Sequence, residues 1–317
     1  MQKELKWGFT GQVGYVANRT IRSMGIDVGS TFNINVDRQV NTGTAGLPFY
    51  STGRTAAVNA FDSHGNVMYN GMQSSLSRRF KAGLQMAASW SWSKAESPYY
   101  PVNPVVTAYS YLITRPLQPT DRTHTLTING TWALPFGQGK QWLGASKLGN
   151  AVLGGWTLNS LAAFYSGQPF SITTTATSLN MVGATQLPLQ LKRDVAMYGN
   201  IGGAYFDPLA FAPVTTPSFG FVQPYNLRGP GLVNVDAGLS RAWRVKERVA
   251  LQLRAEAFNF TNTPHFANPG GNVSNLVLNA DGTVKNLAGF SQVTAVANTG
   301  RDGIDERQFR FTMRISF

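Results

Sequence analysis

The chain has 317 residues, of which 43% are hydrophobic and only 13% are charged, and it contains no cysteine. The lack of cysteine excludes a disulfide framework and a thiolate metal site, and the few charges among many Gly and aromatic residues indicate an all-β protein. The net charge of +12 is scattered, and the longest basic stretches, 77–81 and 241–248, are short and lie at predicted turns, so we do not expect nucleic acid as a partner.

The N-terminal stretch MQKELKWGFT carries basic residues with no apolar segment behind them, so it predicts no signal peptide. No apolar run elsewhere reaches the roughly 18 residues that a membrane-spanning helix needs. As written, the chain carries no export signal. Either the protein stays inside the cell, or its true N-terminus is missing.

Apolar and polar residues alternate with period two along most of the chain, which is the pattern of β-strands with two different faces. The final stretch is the most regular, because every second residue from Phe309 to Phe317 is apolar and every residue between is polar. Each predicted strand has roughly ten residues, close to the length that a tilted transmembrane strand requires. The eight predicted strands are 5–17, 68–80, 84–93, 123–134, 153–166, 232–243, 248–260 and 307–317.

The predicted connections alternate in length along the chain. Residues 80–83 and 244–247 are short and 135–150 are of medium length. The other connections, at 18–66, 94–121, 167–230 and 261–306, are all long. Four long loops argue against a compact soluble domain, whereas short turns at one end and long loops at the other are typical of an antiparallel transmembrane β-barrel.

Two sets of side chains follow from this pattern. Aromatic residues near the strand ends, on the apolar face, predict girdles at the two membrane interfaces: Trp7, Phe80, Trp90, Trp92, Trp132, Trp156, Phe164, Trp243 and Phe317. Charged residues on the opposite face predict a lumen-facing wall: Asp236, Arg254, Glu256, Arg310 and Arg314. The charged set either lines a permeation path or contacts a plug, or it forms a cross-strand charge ladder.

The sequence offers little chemistry for catalysis. His64, His124 and His265 are far apart without metal-ligand spacing, and no Gly-x-Ser-x-Gly motif is present, so we expect no enzyme, no metal and no cofactor. The stretch NADGT, 279–283, is either a weak calcium loop or, because Asp-Gly favours tight turns, a hairpin turn. Aromatic residues in the long loops either contact an extracellular ligand or pack on one another: Tyr99, Tyr100, Tyr109, Tyr111, Phe206, Phe211, Phe219 and Tyr225.

Several stretches together resemble the C-terminal barrel of TonB-dependent outer-membrane receptors, and most of all the Oar-like group. They are NGMQSSLSRRFKAGLQMAASWSWSKA (70–95), ALPFG (133–137), LGGWTLNSLAAFYSGQPFSI (153–172), LRAEAFNFTNTPHF (253–266) and RQFRFTMRISF (307–317). The resemblance implies a 22-stranded barrel with a plugged lumen, which binds a ligand at its extracellular loops and imports it with energy relayed by TonB. It also implies an assembly signal in the last strand, read by the barrel-assembly machinery: Phe309, Phe311, Met313, Ile315 and Phe317.

The chain departs from that family in having no plug, no TonB-contacting segment and no carboxypeptidase-regulatory-like domain. In the family, the QKEL stretch lies at a periplasmic turn in mid-chain. We therefore expect residues 1–317 to be a single, partial barrel of about eight strands that contacts outer-membrane lipid and a missing N-terminal portion, and TonB only through that portion. The alternative is a structural or adhesive surface barrel without transport. If Phe317 lies at the periplasmic face, the short turns are periplasmic and the long loops are outside.

Overall fold

A computed structural model describes residues 2–23, 31–37, 41–61, 65–96, 116–144, 147–175, 178, 180, 186–218, 220, 222–246, 249–297 and 305–317. The strands are β1 (Gln2–Glu4), β2 (Phe9–Ser23), β3 (Thr31–Asn33), β4 (Asn59–Phe61), β5 (Gly65–Lys81), β6 (Leu84–Glu96), β7 (His124–Ala133), β8 (Thr157–Tyr165), β9 (Pro169–Phe170), β10 (Leu189–Gln190), β11 (Phe211–Ala212), β12 (Leu227–Arg228), β13 (Leu232–Lys246), β14 (Val249–Phe258), β15 (Val277–Leu278), β16 (Val284–Asn286) and β17 (Gln308–Ser316). Within the described residues an α-helix, α1, spans Lys147–Leu153, and 3-10 turns span Lys6–Gly8, Thr44–Gly46, Tyr50–Thr52, Pro208–Ala210 and Val273–Asn275.

Nine strands form one antiparallel sheet in the order β1-β2-β5-β6-β7-β8-β13-β14-β17. The prediction of an all-β, antiparallel architecture is therefore confirmed. Eight of the nine match predicted strands, and the ninth is the short β1, which pairs with β2. Three predicted boundaries are wrong by four residues or more. The strand predicted at 5–17 begins at Phe9, because Lys6–Gly8 form a 3-10 turn, and it continues to Ser23, where we expected a loop, because it stays paired with β5. The strand predicted at 153–166 begins at Thr157, because α1 and the turn after it occupy the residues before it.

The cross-strand register divides the sheet into two faces of opposite character, since directly opposed residues lie on the same face. On one face, Leu253 of β14 pairs with Met313 of β17, and on the other Glu256 pairs with Arg310. The same alternation continues through β13, β8, β7 and β6, so the predicted two-faced strands are confirmed. We call the two sides the apolar face and the polar face.

The apolar face is open to its surroundings. On β17, Phe311 is 78% exposed and Met313 is 65% exposed, and Trp92 of β6 and Trp132 of β7 are also exposed. A soluble monomer rarely leaves a contiguous apolar surface of this kind uncovered. The sheet therefore presents its hydrophobic side outward rather than folding it onto a second layer.

The buried core lies beyond one end of the sheet. Its residues come from the long connections after β8 and β14, and they are Phe170, Ile172, Tyr205, Phe206, Ala210, Phe211, Val222, Leu227, Val273 and Phe290. We call the described residues of 167–230 and 261–297 the loop layer. The short pairs β9–β12, β10–β11 and β15–β16 lie within it.

The two ends of the sheet differ as the sequence predicted. At one end of the sheet, which we call the loop end, the strands are joined through the connections 24–64, 97–123, 166–231 and 259–307. At the other, which we call the turn end, they are joined through 5–8, 82–83, 134–156 and 247–248. At the turn end, Ala82 (φ 51°) and Gly83 (φ 82°) make a two-residue turn, whose left-handed backbone matches the twist of a hairpin. The described part of the chain contains no helix that is long and apolar enough to cross a membrane.

Candidate functional site

The predicted charged residues meet on the polar face of β13, β14 and β17. Asp236, Arg254 and Glu256 line a concave site of about 360 Å³, together with Asn159, Leu161 and Phe258. Its volume falls within the roughly 300–1,000 Å³ of small-molecule pockets. The sequence therefore identified residues that the fold brings together, even though they lie on separate strands.

Glu256 is ion-paired with one arginine and is the cross-strand partner of another. Its Oε1 is 3.4 Å from the Nη1 of Arg254 on the same strand, and Arg310 faces it directly across the β14–β17 pair. The guanidinium of Arg310 lies over the ring of Phe258, 5.3 Å from its centroid, and Arg314 opposes the neutral Gln252. Arg254 is exposed, so this part of the wall presents a net positive charge to the polar side.

The polar face between β2 and β7 carries mainly hydroxyl and amide side chains, and Glu4 of the short β1 lies on the same face, opposite Thr10. Between β2 and β7 a second concave surface of about 390 Å³ is lined by Gln12, Gln73, Ser75, Ser89, Ser91, Thr125 and Thr127. The hydroxyls of Ser91 and Thr125 lie 2.5 Å apart across β6 and β7. Hydroxyl and amide groups cover this half of the polar face, so the charged groups are concentrated at β13, β14 and β17.

The loop layer is attached to the sheet directly above the charged wall. The carboxylate of Asp236 accepts a hydrogen bond of 2.8 Å from the backbone N–H of Asn259, a fully buried residue with φ of 48°. The side-chain amide of Asn259 donates to the carbonyls of Thr263 and Asp305, at 3.0 and 2.7 Å. Asp236 thus joins the wall to the loop that follows β14, a role that its position in the alternation did not indicate.

His265 makes a second junction at the loop end. Its imidazole is buried, with Nδ1 2.5 Å from Asp305 Oδ1 and Nε2 2.8 Å from the carbonyl oxygen of Val233 in β13. Its backbone N–H also donates to Asp305 Oδ2 at 2.7 Å. The ring holds the loop after β14 against both β13 and the segment that leads into β17.

Asp121 and Arg228 form a third junction. The buried carboxylate of Asp121 accepts a 2.6 Å hydrogen bond from the N–H of Ala95 and is ion-paired with Arg228. Arg228 also donates to the carbonyl of Gly167, at 3.0 Å. The adjacent Arg122 lies over the ring of Tyr165, 5.2 Å from its centroid, and burial lowers the pKa of this guanidinium below its ordinary value. Such buried pairs hold loops in one arrangement, because separating the charges is costly.

A family model described as an outer membrane beta barrel domain matches residues 1–310. The chain belongs to this outer-membrane β-barrel family. The protein is accordingly located in the outer membrane. In a barrel of this kind the exposed apolar face is the side suited to lipid, and the polar face is the side suited to a water-filled lumen.

The barrel domain also matches solved structures at low identity. One is an outer membrane transporter, YddB from Escherichia coli, at 8% identity and a TM-score of 0.44, covering 99% of this chain and 31% of that one. Another is the siderophore receptor PiuA from Acinetobacter baumannii, at 9% identity and a TM-score of 0.40, covering 98% of this chain and 26% of that one. The barrel domain therefore spans about a third or less of the length of each. No curated protein matches the chain.

Most of the predicted aromatic residues of the barrel domain lie towards the ends of the strands. Trp92 lies nearer the loop end, whereas Trp90 lies in the middle of β6 and not near a strand end, where we expected it. Both stack on His124, with centroids 5.9 and 6.5 Å from its ring for Trp90 and Trp92. At the turn end, Trp156 and Trp243 meet edge to face at 5.9 Å. Also at the turn end are Phe80, Trp132 and Phe317. Trp7 is at this end too, but in the 3-10 turn rather than in the strand where we expected it.

The loop residues fall into two groups. Phe206 and Phe211 are buried in the core of the loop layer, so they pack within it and are not exposed to a ligand, whereas Tyr225 is half-buried. The stretch 279–283 is the turn of the β15–β16 hairpin, as predicted. There Asp281 accepts hydrogen bonds from the hydroxyl and N–H of Thr283, which lower the pKa of its carboxyl group. Tyr99, Tyr100, Tyr109, Tyr111 and Phe219 lie outside the described residues, as does His64.

Two features of the barrel domain were not predicted. The helix α1 interrupts the connection between β7 and β8, and Trp142 at the turn end was not included in the aromatic set. The exposed Leu148 and Val152 four residues apart in 147–153 were a possible signal for the helix. Among the described residues, no three His, Asp or Glu side chains converge in a metal-binding group.

Proposed function

We propose that the barrel domain forms part of the barrel wall of a TonB-dependent receptor of the Oar-like type. The receptor captures a ligand at the loop layer and passes it along the lumen. In this proposal the loop end faces the outside and the turn end faces the periplasm. The N-terminal part of the barrel, the plug and the TonB contact belong to a further portion of the receptor. The alternating residues from Phe309 to Phe317 act as the signal for the barrel-assembly machinery.

One observation carries the proposal: a loop layer with its own buried core is attached to the strand ends immediately above the charged part of the lumenal wall. The layer is anchored through Asp236, Asn259 and His265. The concave site below the junction contains Arg254 and Glu256. A ligand held by the layer would therefore meet charged groups as it enters the lumen, and long-range attraction by such groups favours capture of an oppositely charged ligand.

A structural or adhesive surface barrel is the second candidate. It is favoured by the burial of Phe206 and Phe211 in the loop core, because aromatic residues that pack the layer do not recognise a ligand. An adhesive barrel needs a stable outer surface but no path through the lumen.

Orientation is the first test. We would insert an epitope at Gly282, the exposed tip of the β15–β16 hairpin, and probe intact cells with antibody. The proposal expects binding without permeabilisation. An epitope placed at Gly139 in the turn-end connection is the matched control and should bind only after the outer membrane is opened. The reverse result would contradict the assigned orientation.

Ligand capture and transport are tested separately. The refolded chain would be screened by thermal shift against ferric chelates, oligosaccharides and peptides, alongside the variant Glu256→Gln. A compound that stabilises the parent but not the variant identifies the wall as part of the binding path. If the receptor transports that compound in cells with energy relayed by TonB, a protonophore should abolish its uptake. Binding without energy-dependent uptake would favour the adhesive alternative.

A further inference from the structure

The connection between β7 and β8 at the turn end is a folded unit. We call residues 135–156, as far as the structure describes them, the α1 segment. Within it, Gly137 N–H donates to the Trp142 carbonyl at 2.9 Å, and Trp142 N–H donates to the Pro135 carbonyl at 3.0 Å. The side chain of Asn150 accepts from the Gln138 N–H at 2.8 Å. These bonds tie the stretch before α1 to the helix itself.

The backbone of the same segment is also closely packed. A Cβ atom at Gly137 (φ 105°) would lie 2.7 Å from the Gly154 Cα and 2.5 Å from the Asn150 side-chain oxygen. Such distances leave no room for any other residue. The backbone at Gly137 is therefore packed directly against the end of α1.

The α1 segment is fastened to the lipid-facing side of the barrel wall by Arg241. The register places Arg241 of β13 opposite Leu253, on the apolar face, where an uncompensated charge is unfavourable. Its guanidinium donates instead to three carbonyls at the C-terminal end of α1, those of Asn150, Ala151 and Val152, at 3.0, 2.8 and 2.9 Å. The negative end of the helix dipole favours a cation at this place.

The surroundings of Arg241 complete this clamp. The side chain is only 7% exposed and lies 4.5 Å from the Trp243 ring centroid and 5.9 Å from that of Trp156. The indole N–H of Trp156 donates to the Val152 carbonyl at 2.8 Å. The C-terminal end of α1 therefore rests on the outer surface of the wall, beside two aromatic residues of the turn-end belt.

Although its C-terminal carbonyls are bound to the wall, α1 exposes apolar side chains that nothing in the described chain covers. Leu148 is 81% exposed and Val152 is 64% exposed; four residues apart, they lie on the same face of the helix. Leu153, Trp142 and Leu143 are also exposed. Residues 135–156 contain no Asp or Glu, and their two charged residues are Lys140 and Lys147, both exposed.

We propose that the α1 segment is an interfacial anchor, which inserts Leu148 and Val152 into the phospholipid leaflet at the turn end and binds anionic headgroups through Lys140 and Lys147. The lipid-facing wall continues directly into the segment, so lipid is the occupant that the geometry favours. A short helix with an apolar face and lysines beside it is suited to the headgroup boundary. Anionic lipid attracts such lysines. The assignment of the leaflet as periplasmic rests on the orientation given under the proposed function, but lipid contact does not.

Because the chain contains no cysteine, single-cysteine variants can be labelled cleanly. The full chain would be refolded into phosphatidylcholine vesicles with and without phosphatidylglycerol, carrying a bimane label quenched by doxyl-labelled lipid. Leu148→Cys and Val152→Cys are the test positions. Phe311→Cys on the lipid-facing strand is the positive control, and Ala280→Cys at the exposed hairpin of the loop layer is the aqueous control.

If α1 is an interfacial anchor, the labels at positions 148 and 152 should be quenched at least about threefold more strongly than the label at position 280. The reason is that an interfacial helix buries its apolar face ~5–10 Å into the boundary between headgroups and acyl chains. Phosphatidylglycerol should increase this quenching in the parent, and the double variant Lys140→Gln/Lys147→Gln should lose the increase. Quenching at the level of Ala280→Cys would overturn the proposal. So would a label that is shielded from water but not quenched by lipid, since that result indicates a protein occupant.

The clamp is tested with Arg241→Gln and the matched control Arg244→Gln, an exposed arginine on the same strand. Heat-modifiable gel mobility reports whether each variant folds. In folded protein, Arg241→Gln should reduce the lipid quenching at Leu148→Cys at least about twofold, because the helix end loses three charge-assisted hydrogen bonds. Arg244→Gln should leave it unchanged. Equal quenching in both variants would refute the clamp. If Arg241→Gln does not fold, the labels at positions 148 and 152 and the variant Lys140→Gln/Lys147→Gln still decide whether the segment contacts lipid.

Discussion

Replacing Phe206 by alanine should unfold the loop layer while leaving the sheet intact. The Phe206 ring has no exposed surface, and its centroid lies 5.8 Å from Phe170, 5.9 Å from Phe211 and 5.3 Å from Phe290. Truncating a fully buried Phe typically costs about 3–5 kcal/mol. The contacts with Phe211 and Phe290 are edge to face, and each such pair adds about 0.5–1.5 kcal/mol, so we expect a loss in the upper half of that range.

The assay is hydrogen–deuterium exchange of the refolded chain, followed by mass spectrometry. A loss of about 4 kcal/mol in local stability corresponds to a roughly 1,000-fold faster exchange of the loop-layer amides. Amides in β7 and β8 should be unaffected, because the sheet does not depend on the loop core for its hydrogen bonds. Phe260→Ala removes the same side chain from an exposed position in the same loop region and should cost no more than about 0.5 kcal/mol.

Two results would refute this reasoning. If Phe206→Ala accelerates exchange less than about tenfold, or about 1.4 kcal/mol, the loop core does not hold the layer together. If protection falls equally in β7 and β8, the layer and the sheet are one cooperative unit, and the separation of an independent loop core from the wall is wrong.

Three further predictions concern the lipid face, the loop junction and pH. Met313→Arg, on the apolar face of β17, should make the free energy of folding into vesicles less favourable by up to about 2–4 kcal/mol and so lower the refolding yield. Thr312→Arg, on the polar face, should refold normally, and equal yields would contradict the face assignment. His265→Ala should leave buried oxygens unsatisfied and cost about 1–3 kcal/mol, seen as faster proteolysis of the loop after β14, and unchanged cleavage would argue against this junction. Burial raises the pKa of Tyr205 above its ordinary value. The neutral Tyr205 side chain therefore contributes its full stabilisation below that ordinary value, about 10, and the stabilisation is lost as pH rises through the raised pKa. Thermal melts should show this alkaline loss in the parent but not in Tyr205→Phe.

The strands were predictable because their signal is local. A strand with one face in lipid and the other in water must alternate with period two, and Phe309 to Phe317 show this without exception. The segregation of loops and turns also followed from the sequence, since it depends only on the lengths between strands. The boundaries at Phe9 and Thr157 were missed, because a 3-10 turn and a short helix interrupt the alternation without a strong local signal.

The candidate site was only partly predictable. Alternation placed Asp236, Arg254 and Glu256 on one face, but it did not reveal that Asp236 bonds to Asn259. Nor did it separate the aromatic residues that pack the loop core, such as Phe206, from those free to meet a ligand. A long loop carries no periodic pattern, so its core depends on contacts between residues that are distant in sequence.

The sequence by itself determined the class of fold, the two-faced strands and the face on which Asp236, Arg254 and Glu256 lie together. Periodicity and composition encode these features residue by residue. Only the tertiary structure decided that Arg241, on the lipid-facing side, is compensated by the C-terminal carbonyls of α1. Only the structure, likewise, brought Phe206 together with Phe290, and His265 together with Asp305. In each case the energy comes from groups separated by tens of residues, and their meeting depends on strand order and register rather than on any local pattern.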